Sequence, residues 1–419
     1  MQATTFIRAN ISKLYAFWFF HNLVFAYVIE RLFWAGRGIT IPQVVYLEIL
    51  YSVVVFLLEV PTGALADRFG RKPMMILGAV FSFGEMLILT YAWSFGAFAC
   101  AIIVAAVGKA LLSGTSNALF YDSLAAIDRC DSFEQVLGRN SLGKRLAGAI
   151  AALVGGLIAE RHPLVSTYQL SMVSLACSFL TALSLVEPQR HVTTEKPHTV
   201  FYVKTALSFL RGRKDVLLIL LHGIVMAAVT IYVDEFWQVY LKETGVAVAY
   251  FGVFSIAGSF VSGAGAFLAH KFKHCAVDRT LVVLLLIWAG AAFAAAGLHS
   301  LLGIAFLLLA YLVSGIAEPL VSGYLHRRAA SEFRTTVESF QSLALRAVAA
   351  LVGLGFGWVA AVFSVFGGYL FLGVLVVGYV IFWPWRRRKG ALFPGRRRSM
   401  MSMPEHSDVS HAGRIGTAG

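Results

Sequence analysis

The stretch GALADRFGRK, residues 63–72, lies at the junction of two apolar runs of the sequence, 43–66 and 73–94. It concentrates four charged residues within six positions, although only 14% of the chain is charged, against roughly 25% in typical soluble domains. Gly70 allows the backbone to turn sharply there. Each flanking run has the roughly 20 residues needed to cross a bilayer, so the stretch is typical of a short loop at a membrane surface.

Apolar runs of the same length continue on both sides of this loop. The chain has 419 residues, of which 58% are hydrophobic, and a mean hydropathy of +0.75. A soluble protein could not bury that much apolar surface, whereas lipid is an apolar solvent. We therefore predict an all-α membrane protein with twelve transmembrane helices. They are expected at 12–34, 43–66, 73–94, 97–126, 137–159, 164–186, 216–240, 247–269, 279–298, 301–325, 336–363 and 366–384.

Lys and Arg concentrate in every second connection between these runs. The poor set of connections holds only Arg37, Arg161 and Lys242, and the rich set holds Arg68, Arg71, Lys72, Arg129, residues 190–214, Lys271, Lys273, Arg327, Arg328, Arg334 and 386–389. Because positive loops stay on the inner side of a membrane, we predict a multi-pass protein of the cell inner (cytoplasmic) membrane of a bacterium with both termini cytoplasmic. The first run lacks a small-residue cleavage site, so we interpret it as a retained helix.

The sequence divides into two similar halves. ALADRFGRK after run two corresponds to FLAHKFKHC after run eight, and NSLGKR in run five corresponds to QSLALR in run eleven. Internal duplication is common in alternating-access transporters. We predict an N-terminal six-helix bundle at 1–190, a cytoplasmic linker at 191–215, a C-terminal six-helix bundle at 216–385, and a basic, disordered cytoplasmic tail at 386–419.

The loop at 63–72 resembles the signature GxLaDrxGrk between helices two and three of the major facilitator superfamily. The resemblance covers about 12–384 and implies a secondary transporter built from two pseudo-symmetric six-helix bundles. It also implies a cytoplasmic latch, for which Asp122 at the end of run four is a candidate partner. Alternatively, these charges only fix the topology. The latch candidates are Gly63, Asp67, Arg68, Gly70, Arg71, Lys72 and Asp122.

Charged residues inside the apolar runs are candidates for proton coupling or substrate binding, because a charge at the bilayer centre costs at least ~2.5–3.5 kcal/mol. Counting along runs three and four puts Glu85 and Lys109 at similar depth, so an ion pair between them is expected, either functional or structural. Glu59 precedes Pro61 in the inner part of run two, where it is either a coupling carboxylate or a packing residue. Glu318 precedes a proline in run ten and is a pore candidate.

Two further groups of charges lie nearer the ends of the runs. Arg145 and Arg346 occupy corresponding places in runs five and eleven and could attract an anionic substrate or extend to lipid phosphates. Two groups of charges lie near the outer ends of runs one and seven: Glu30 with Arg31, and Asp234 with Glu235. The family resemblance implies that Glu30, Asp234 and Glu235 are candidates for an outer gate. Interfacial charges are the alternative. Glu48 is expected to face water at the outer end of run two.

The function that these observations favour is proton-coupled efflux of small organic molecules by alternating access. An importer or passive facilitator of the same fold is the first alternative, and a multi-pass membrane enzyme or sensor is the second. HExxH, P-loop and GxSxG patterns are absent from the sequence, so we predict no enzyme. The four cysteines show no CxxC pair, and we expect neither metal nor cofactor. The expected partners are a small-molecule substrate, protons and the lipid bilayer, and no nucleic acid. We expect the protein to be a monomer.

Run five keeps Gly155 and Gly156 but has alanines where the drug-antiporter motif of the resembled family has Gly-Pro. The identity of the substrate therefore stays open at this point.

Overall fold

The computed structural model describes residues 2–113, 115–188, 213–272, 275–328 and 331–390, with side chains left out at 2–8, 60, 67, 214, 326, 331–339 and 383–390. Most of the linker predicted at 191–215, the tail from 391 onward and the side chain of Asp67 lie outside the described part. The linker, the disorder of the tail and the role of Asp67 therefore stay predictions.

The chain divides into two compact units, Met1–Val380 and Ile381–Gly419. The described part of the second unit, 381–390, is helical, and all packing described below lies within the first unit. The predicted boundaries at 190 and 215 stay predictions.

All regular elements in the described ranges are helical. Short 3₁₀ turns occur at Cys130–Ser132, Val248–Tyr250 and Ala269–Phe272. The α-helices are α1 (Gln2–Asn22), α2 (Glu30–Gly36), α3 (Ile41–Phe69), α4 (Arg71–Tyr91), α5 (Phe95–Leu112), α6 (Thr115–Ala125), α7 (Phe133–Arg161), α8 (Val165–Leu183), α9 (Lys214–Glu243), α10 (Phe251–Leu268), α11 (Val277–Leu298), α12 (Leu301–Arg328) and α13 (Ser331–Gly390).

Each of the twelve predicted runs coincides with helical structure. Nine helical stretches in the described ranges are long and apolar enough to cross a membrane. One of them, Phe340–Phe382, has 43 residues, which is long enough for two spans. It contains most of the last two predicted runs, and the backbone of α13 is non-helical between them at Phe363 and Ser364.

The predicted turn at Gly70 is present. Gly70 joins α3 to α4 with a φ of 115°, a conformation that glycine adopts without steric cost. Gly63, by contrast, lies inside α3. Consecutive spans alternate in direction, so the connections that hold many Lys and Arg residues lie at one end of the unit. That end, which holds Gly70, is called the Lys/Arg-rich end. The opposite end, which holds Arg37, Arg161 and Lys242, is called the Lys/Arg-poor end.

Two of the predicted runs are interrupted in the structure, which run length alone did not indicate. The helix of the first run stops at Asn22 and resumes at Glu30, leaving residues 23–29 non-helical. The helix of the fourth run stops at Leu112 and resumes at Thr115. Irregular backbone at membrane depth requires partners from neighbouring helices or a cavity lined with water, and both breaks line the cavity described next.

Candidate functional site

A cavity of about 970 Å³ lies within the first unit, between helices of the first half and helices α9 and α10 of the second. Both broken runs contribute to its wall, through residues such as Val24, Tyr27 and Ser113. Aromatic rings line it at Trp18, Tyr51 and Trp237. The charged residues on its wall are Glu30, Arg31, Glu48, Glu85, Lys109, Arg145, Asp234 and Glu235.

Side chains from other helices hold the broken segment 23–29 in place. The backbone N–H of Ala26 donates to Ser171 Oγ at 3.1 Å, and Ser174 Oγ donates to the carbonyl of Leu23 at 2.6 Å. From the second half, Gln238 Nε2 donates to the carbonyl of Tyr27 at 2.8 Å. These bonds satisfy backbone groups that helix formation leaves open at the break. Ser171, Ser174 and Gln238 were not predicted. Two serines three residues apart in an apolar run can nevertheless indicate side chains that bond the backbone of a neighbouring segment.

Arg31 is the centre of a charged cluster at the Lys/Arg-poor end. Its guanidinium is 5% exposed and lies 2.6 Å from Glu48 and 3.8 Å from Glu30. It also makes an ion pair with Glu235 of α9, and its backbone N–H donates to Gln238 at 2.9 Å. Because α9 belongs to the second half, the Arg31 cluster connects the two halves. Glu30 and Glu235 were predicted as outer-gate candidates, and that role stays a prediction.

The two halves also meet closely beside this cluster, where α7 packs on α10. A Cβ placed on Gly252 would overlap the carbonyl oxygen of Ala152. Only a residue without a side chain permits that approach. The cavity is therefore closed at the Lys/Arg-poor end, and its wall extends toward the other end through Leu142 and Arg145.

The expected ion pair between Glu85 and Lys109 is not among the ion pairs of the described residues, although both side chains line the cavity. The packing register of α4 and α5 explains why. The Cβ position of Gly84 lies 3.6 Å from Val104, and that of Gly108 lies 3.1 Å from Phe81. Lys109 is thus more than one helical turn nearer the Lys/Arg-rich end than Glu85, and counting residues from the loops missed that offset.

The two carboxylates of run two differ from the expectation. Glu48 lines the cavity and bonds Arg31, whereas Glu59 is exposed and is not part of the cavity wall. Glu318 is also exposed, beside Pro319 inside α12, and does not line the cavity. Of the two corresponding arginines, Arg145 lines the cavity and Arg346 does not.

The wall of the cavity nearer the Lys/Arg-rich end carries cations and rings. The ammonium group of Lys144 lies 3.7 Å from the ring centroid of Trp18. His21, which lines the cavity, stacks on Phe17 with centroids 5.4 Å apart. Neither Lys144 nor His21 was predicted as a residue of the cavity wall.

A second charged cluster lies at the Lys/Arg-rich end, within the first half. Arg71 makes an ion pair with its candidate partner Asp122 and donates to the carbonyl of Ala118, while the latch role stays a prediction. The carboxylate of Glu187 accepts from the backbone N–H groups of Arg71 at 2.9 Å and Lys72 at 2.6 Å. An anion at a helix N-terminus is favourable. Glu187, which the sequence did not point to, occupies the N-terminus of α4.

The corresponding place in the second half holds a different set of groups. Tyr324 donates to Asp215 at 3.0 Å, and Arg328 lies 3.4 Å from the same carboxylate. His270, which replaces the signature aspartate there, is exposed, and Lys273 lies outside the described residues. Buried His222 contacts Tyr379 at 2.7 Å and Asp278 at 3.5 Å.

The chain matches the family model of the Major Facilitator Superfamily over residues 14–354. A curated relative, an uncharacterized transporter of Buchnera aphidicola subsp. Schizaphis graminum (strain Sg), is 29% identical over 139 residues, or 33% of this chain. The match spans about a third of that relative, 34% of its length.

Solved structures with the same fold include three transporters. The nucleoside transporter NupG is 11% identical with a TM-score of 0.69, over 94% of this chain and 100% of that one. A bacterial homolog of the human lysosomal transporter Spinster, in an inward-facing and unoccupied conformation, is 17% identical with a TM-score of 0.66, over 90% and 94%. A D-xylose-proton symporter is 12% identical with a TM-score of 0.64, over 90% and 97%. These likenesses confirm the predicted fold class.

Proposed function

This chain belongs to the Major Facilitator Superfamily, and we propose that it is a proton-coupled exporter of small organic molecules that works by alternating access. It is a multi-pass membrane transporter with a cavity large enough for a small organic substrate. The proton coupling, the direction of transport, the location in a bacterial inner membrane and the function as a monomer are parts of the proposal.

The proposal rests on the position of the Glu85 carboxylate in the cavity. This carboxylate lines the cavity from the second half of α4, and no hydrogen bond or ion pair to it occurs among the described residues. An ionised carboxylate at that depth costs at least ~2.5–3.5 kcal/mol unless a partner neutralises it. Either a proton or a cationic group of the substrate removes that cost. Competition of the two for one carboxylate couples their movements in opposite directions.

The exchange follows from this competition. With the cavity open at the Lys/Arg-rich end, substrate binds from the cytoplasm and the proton on Glu85 leaves to the same side. After the halves rock to open the other end, a proton from outside displaces the substrate. An inward proton gradient therefore drives the substrate outward. A D-xylose-proton symporter shares this fold, which supports proton coupling as chemistry that the fold accommodates.

The Arg31 cluster supplies the gate of this cycle. Opening the Lys/Arg-poor end requires that the guanidinium of Arg31 part from Glu235 and that its backbone N–H part from Gln238. At the other end, Arg71 and Asp122, with Arg68 and Lys72 nearby in sequence, are the candidates for the cytoplasmic latch, and the Arg71–Asp122 ion pair joins α4 to α6 within the first half. Gly63 and Gly70 shape the backbone of that region.

The test uses everted membrane vesicles with an acidified lumen and a pH-sensitive dye. Lipophilic cations, antibiotics, sugars and organic anions are added to vesicles that contain wild type, Glu85→Gln or Glu134→Gln. Glu134 is an exposed carboxylate in the first turn of α7 and serves as the matched control. We expect one compound class to discharge the gradient with wild type and Glu134→Gln but not with Glu85→Gln.

Discharge by Glu85→Gln at the wild-type rate would remove Glu85 from the coupling step. If no compound discharges the gradient with wild type, proton-driven export is wrong, and passive counterflow then tests the importer or facilitator alternative.

A further inference from the structure

The charges on the cavity wall are segregated along its length. At the closed end, Glu30, Glu48 and Glu235 surround the single guanidinium of Arg31, which leaves an excess of negative charge. Glu85 adds to this side, since its carboxylate is close enough to Glu30 for the two charges to repel one another. The closed end of the cavity is therefore acidic.

The opposite end of the cavity is basic. Lys109 and Arg145 line it, and Lys144 lies beside Trp18. Lys109 is close enough to Lys144 for the two positive charges to repel one another. A cavity with opposite charges at its two ends suits a ligand that carries opposite charges at its own two ends.

Three of these wall charges have no hydrogen-bond or ion-pair partner among the described residues, namely the side chains of Glu85, Lys109 and Arg145. The charges at the closed end differ, because Arg31 pairs with both Glu48 and Glu235. Charges in a cavity at membrane depth are costly when unpaired. A ligand that reaches the carboxylate with one group and the cations with another pairs all three charges.

The packing register sets the spacing between those groups. Gly84, the residue before Glu85, is level with Val104 of α5, and Lys109 lies five residues further along α5. Glu85 lies one residue beyond Gly84 in the opposite direction, so at 1.5 Å per residue the backbones of Glu85 and Lys109 are about 9 Å apart along the helix axis. An α-amino acid, whose two charged groups share one carbon, is too short to reach both.

Aromatic rings line the cavity from one charged end to the other, with Trp237 next to Gln238 at the closed end, Trp18 beside Lys144 at the basic end, and Tyr51 one turn along α3 from Glu48. Flat rings of this kind stack on an aromatic or planar ligand. The middle of the cavity therefore suits an apolar, ring-containing spacer.

We infer that the ligand of this cavity is an aromatic zwitterion, with its ammonium on Glu85, its carboxylate on Lys109 and Arg145, and its ring among the tryptophans and tyrosines. This inference names the substrate class of the proposed transporter and rests on that proposed function for its biological meaning. The binding chemistry itself follows from the wall charges.

The test measures binding to the purified full-length protein in detergent by isothermal titration calorimetry, without a proton gradient. The probes are 4-(aminomethyl)benzoic acid, its amide, which is only a cation, its N-acetyl derivative, which is only an anion, and phenylalanine as the short zwitterion. We expect the first to bind roughly tenfold or more tightly than each of the others, because each charged contact in a desolvated site is worth about that factor.

Two variants separate the ends of the cavity. Glu85→Gln is expected to bind the zwitterion no better than the N-acetyl derivative, and Lys109→Gln is expected to lose most of the advantage of the zwitterion over the amide, with Arg145 left as the remaining cation. The comparison of three ligands within one variant remains valid even where a variant is less stable. Controls are Glu134→Gln and Arg129→Gln, two exposed charges away from the cavity.

Equal binding of a singly charged probe, an unchanged advantage of the zwitterion in both variants, or no binding of any zwitterion at millimolar concentration would each overturn the inference. Binding of the zwitterion as described but no discharge of the proton gradient by it would leave the inference standing and contradict the proposed coupling. If lipophilic cations alone discharge the gradient, the proposed coupling stands and the inference about the ligand is contradicted.

Discussion

The two charged clusters of the molecule differ in what they connect. The Arg31 cluster at the Lys/Arg-poor end connects α2 and α3 of the first half to α9 of the second. The Arg71 cluster at the other end connects α4 to α6, both in the first half. Charges between the halves select one state of the transporter, whereas charges within a half stabilise both states equally. The difference predicts that equivalent mutations in the two clusters have different consequences.

The largest effect is expected from Arg31→Met. Removing one partner of a buried charge pair costs about 3–5 kcal/mol, and here three carboxylates lose the same cation. Because the cluster joins the halves, the variant opens the Lys/Arg-poor end. Ser255 lies on the cavity wall, and Ser255→Cys in a background without the native cysteines should then react with an impermeant maleimide from that side.

The control for this prediction is Arg161→Gln, which removes an exposed cation at the same end and should leave the labelling at the wild-type level. Unchanged labelling of Arg31→Met would mean that the Arg31 cluster does not hold the halves together.

A smaller and different effect is expected from Arg71→Ala. The side chains of Arg71 and Asp122 are 18% and 19% exposed, and a charged hydrogen bond of this kind contributes about 1.5–3 kcal/mol. The variant should unfold at lower temperature, as measured by thermal denaturation in detergent. It should not raise the maleimide labelling of Ser255→Cys from the Lys/Arg-poor side, and a strong rise would show that this cluster also acts between the halves.

The smallest effect is expected from Ser174→Ala, which removes the hydrogen bond to the carbonyl of Leu23 in the broken segment. The loss should be about 1 kcal/mol, seen as a modestly lower unfolding temperature. Ser178→Ala is the matched control, because Ser178 lies one turn further along α8 and bonds only the carbonyl of Leu175 in its own helix. Equal effects of the two substitutions would remove the special role assigned to Ser174.

Sequence reasoning succeeded where the cause is local. The turn at Gly70 follows from a glycine between two apolar runs, and the spans follow from the length of those runs. The break at 23–29 does not, because the side chains that hold it come from far along the chain. Ser171 lies 145 residues from Ala26, and Gln238 lies 211 residues from Tyr27.

The candidate site was predictable in part for the same reason. Glu85, Lys109, Arg145, Glu30, Asp234 and Glu235 line the cavity as charged residues inside apolar runs can be expected to do. The relative depth of Glu85 and Lys109 was not predictable, because the register between α4 and α5 depends on how Gly84 and Gly108 pack. Whether Glu48 or Glu59 faces the cavity depends on the rotation of α3, which its apolar sequence leaves undetermined.

The most direct test of the account compares two transport modes of Glu85→Gln in liposomes, with the compound that discharges the proton gradient in the vesicle assay. Passive counterflow needs only the rocking of the halves, while accumulation against a gradient also needs proton exchange at Glu85. We expect the variant to keep counterflow and lose proton-driven accumulation, and Glu134→Gln to keep both. Accumulation by Glu85→Gln at the wild-type level would contradict the assignment of Glu85 as the group that couples proton to substrate.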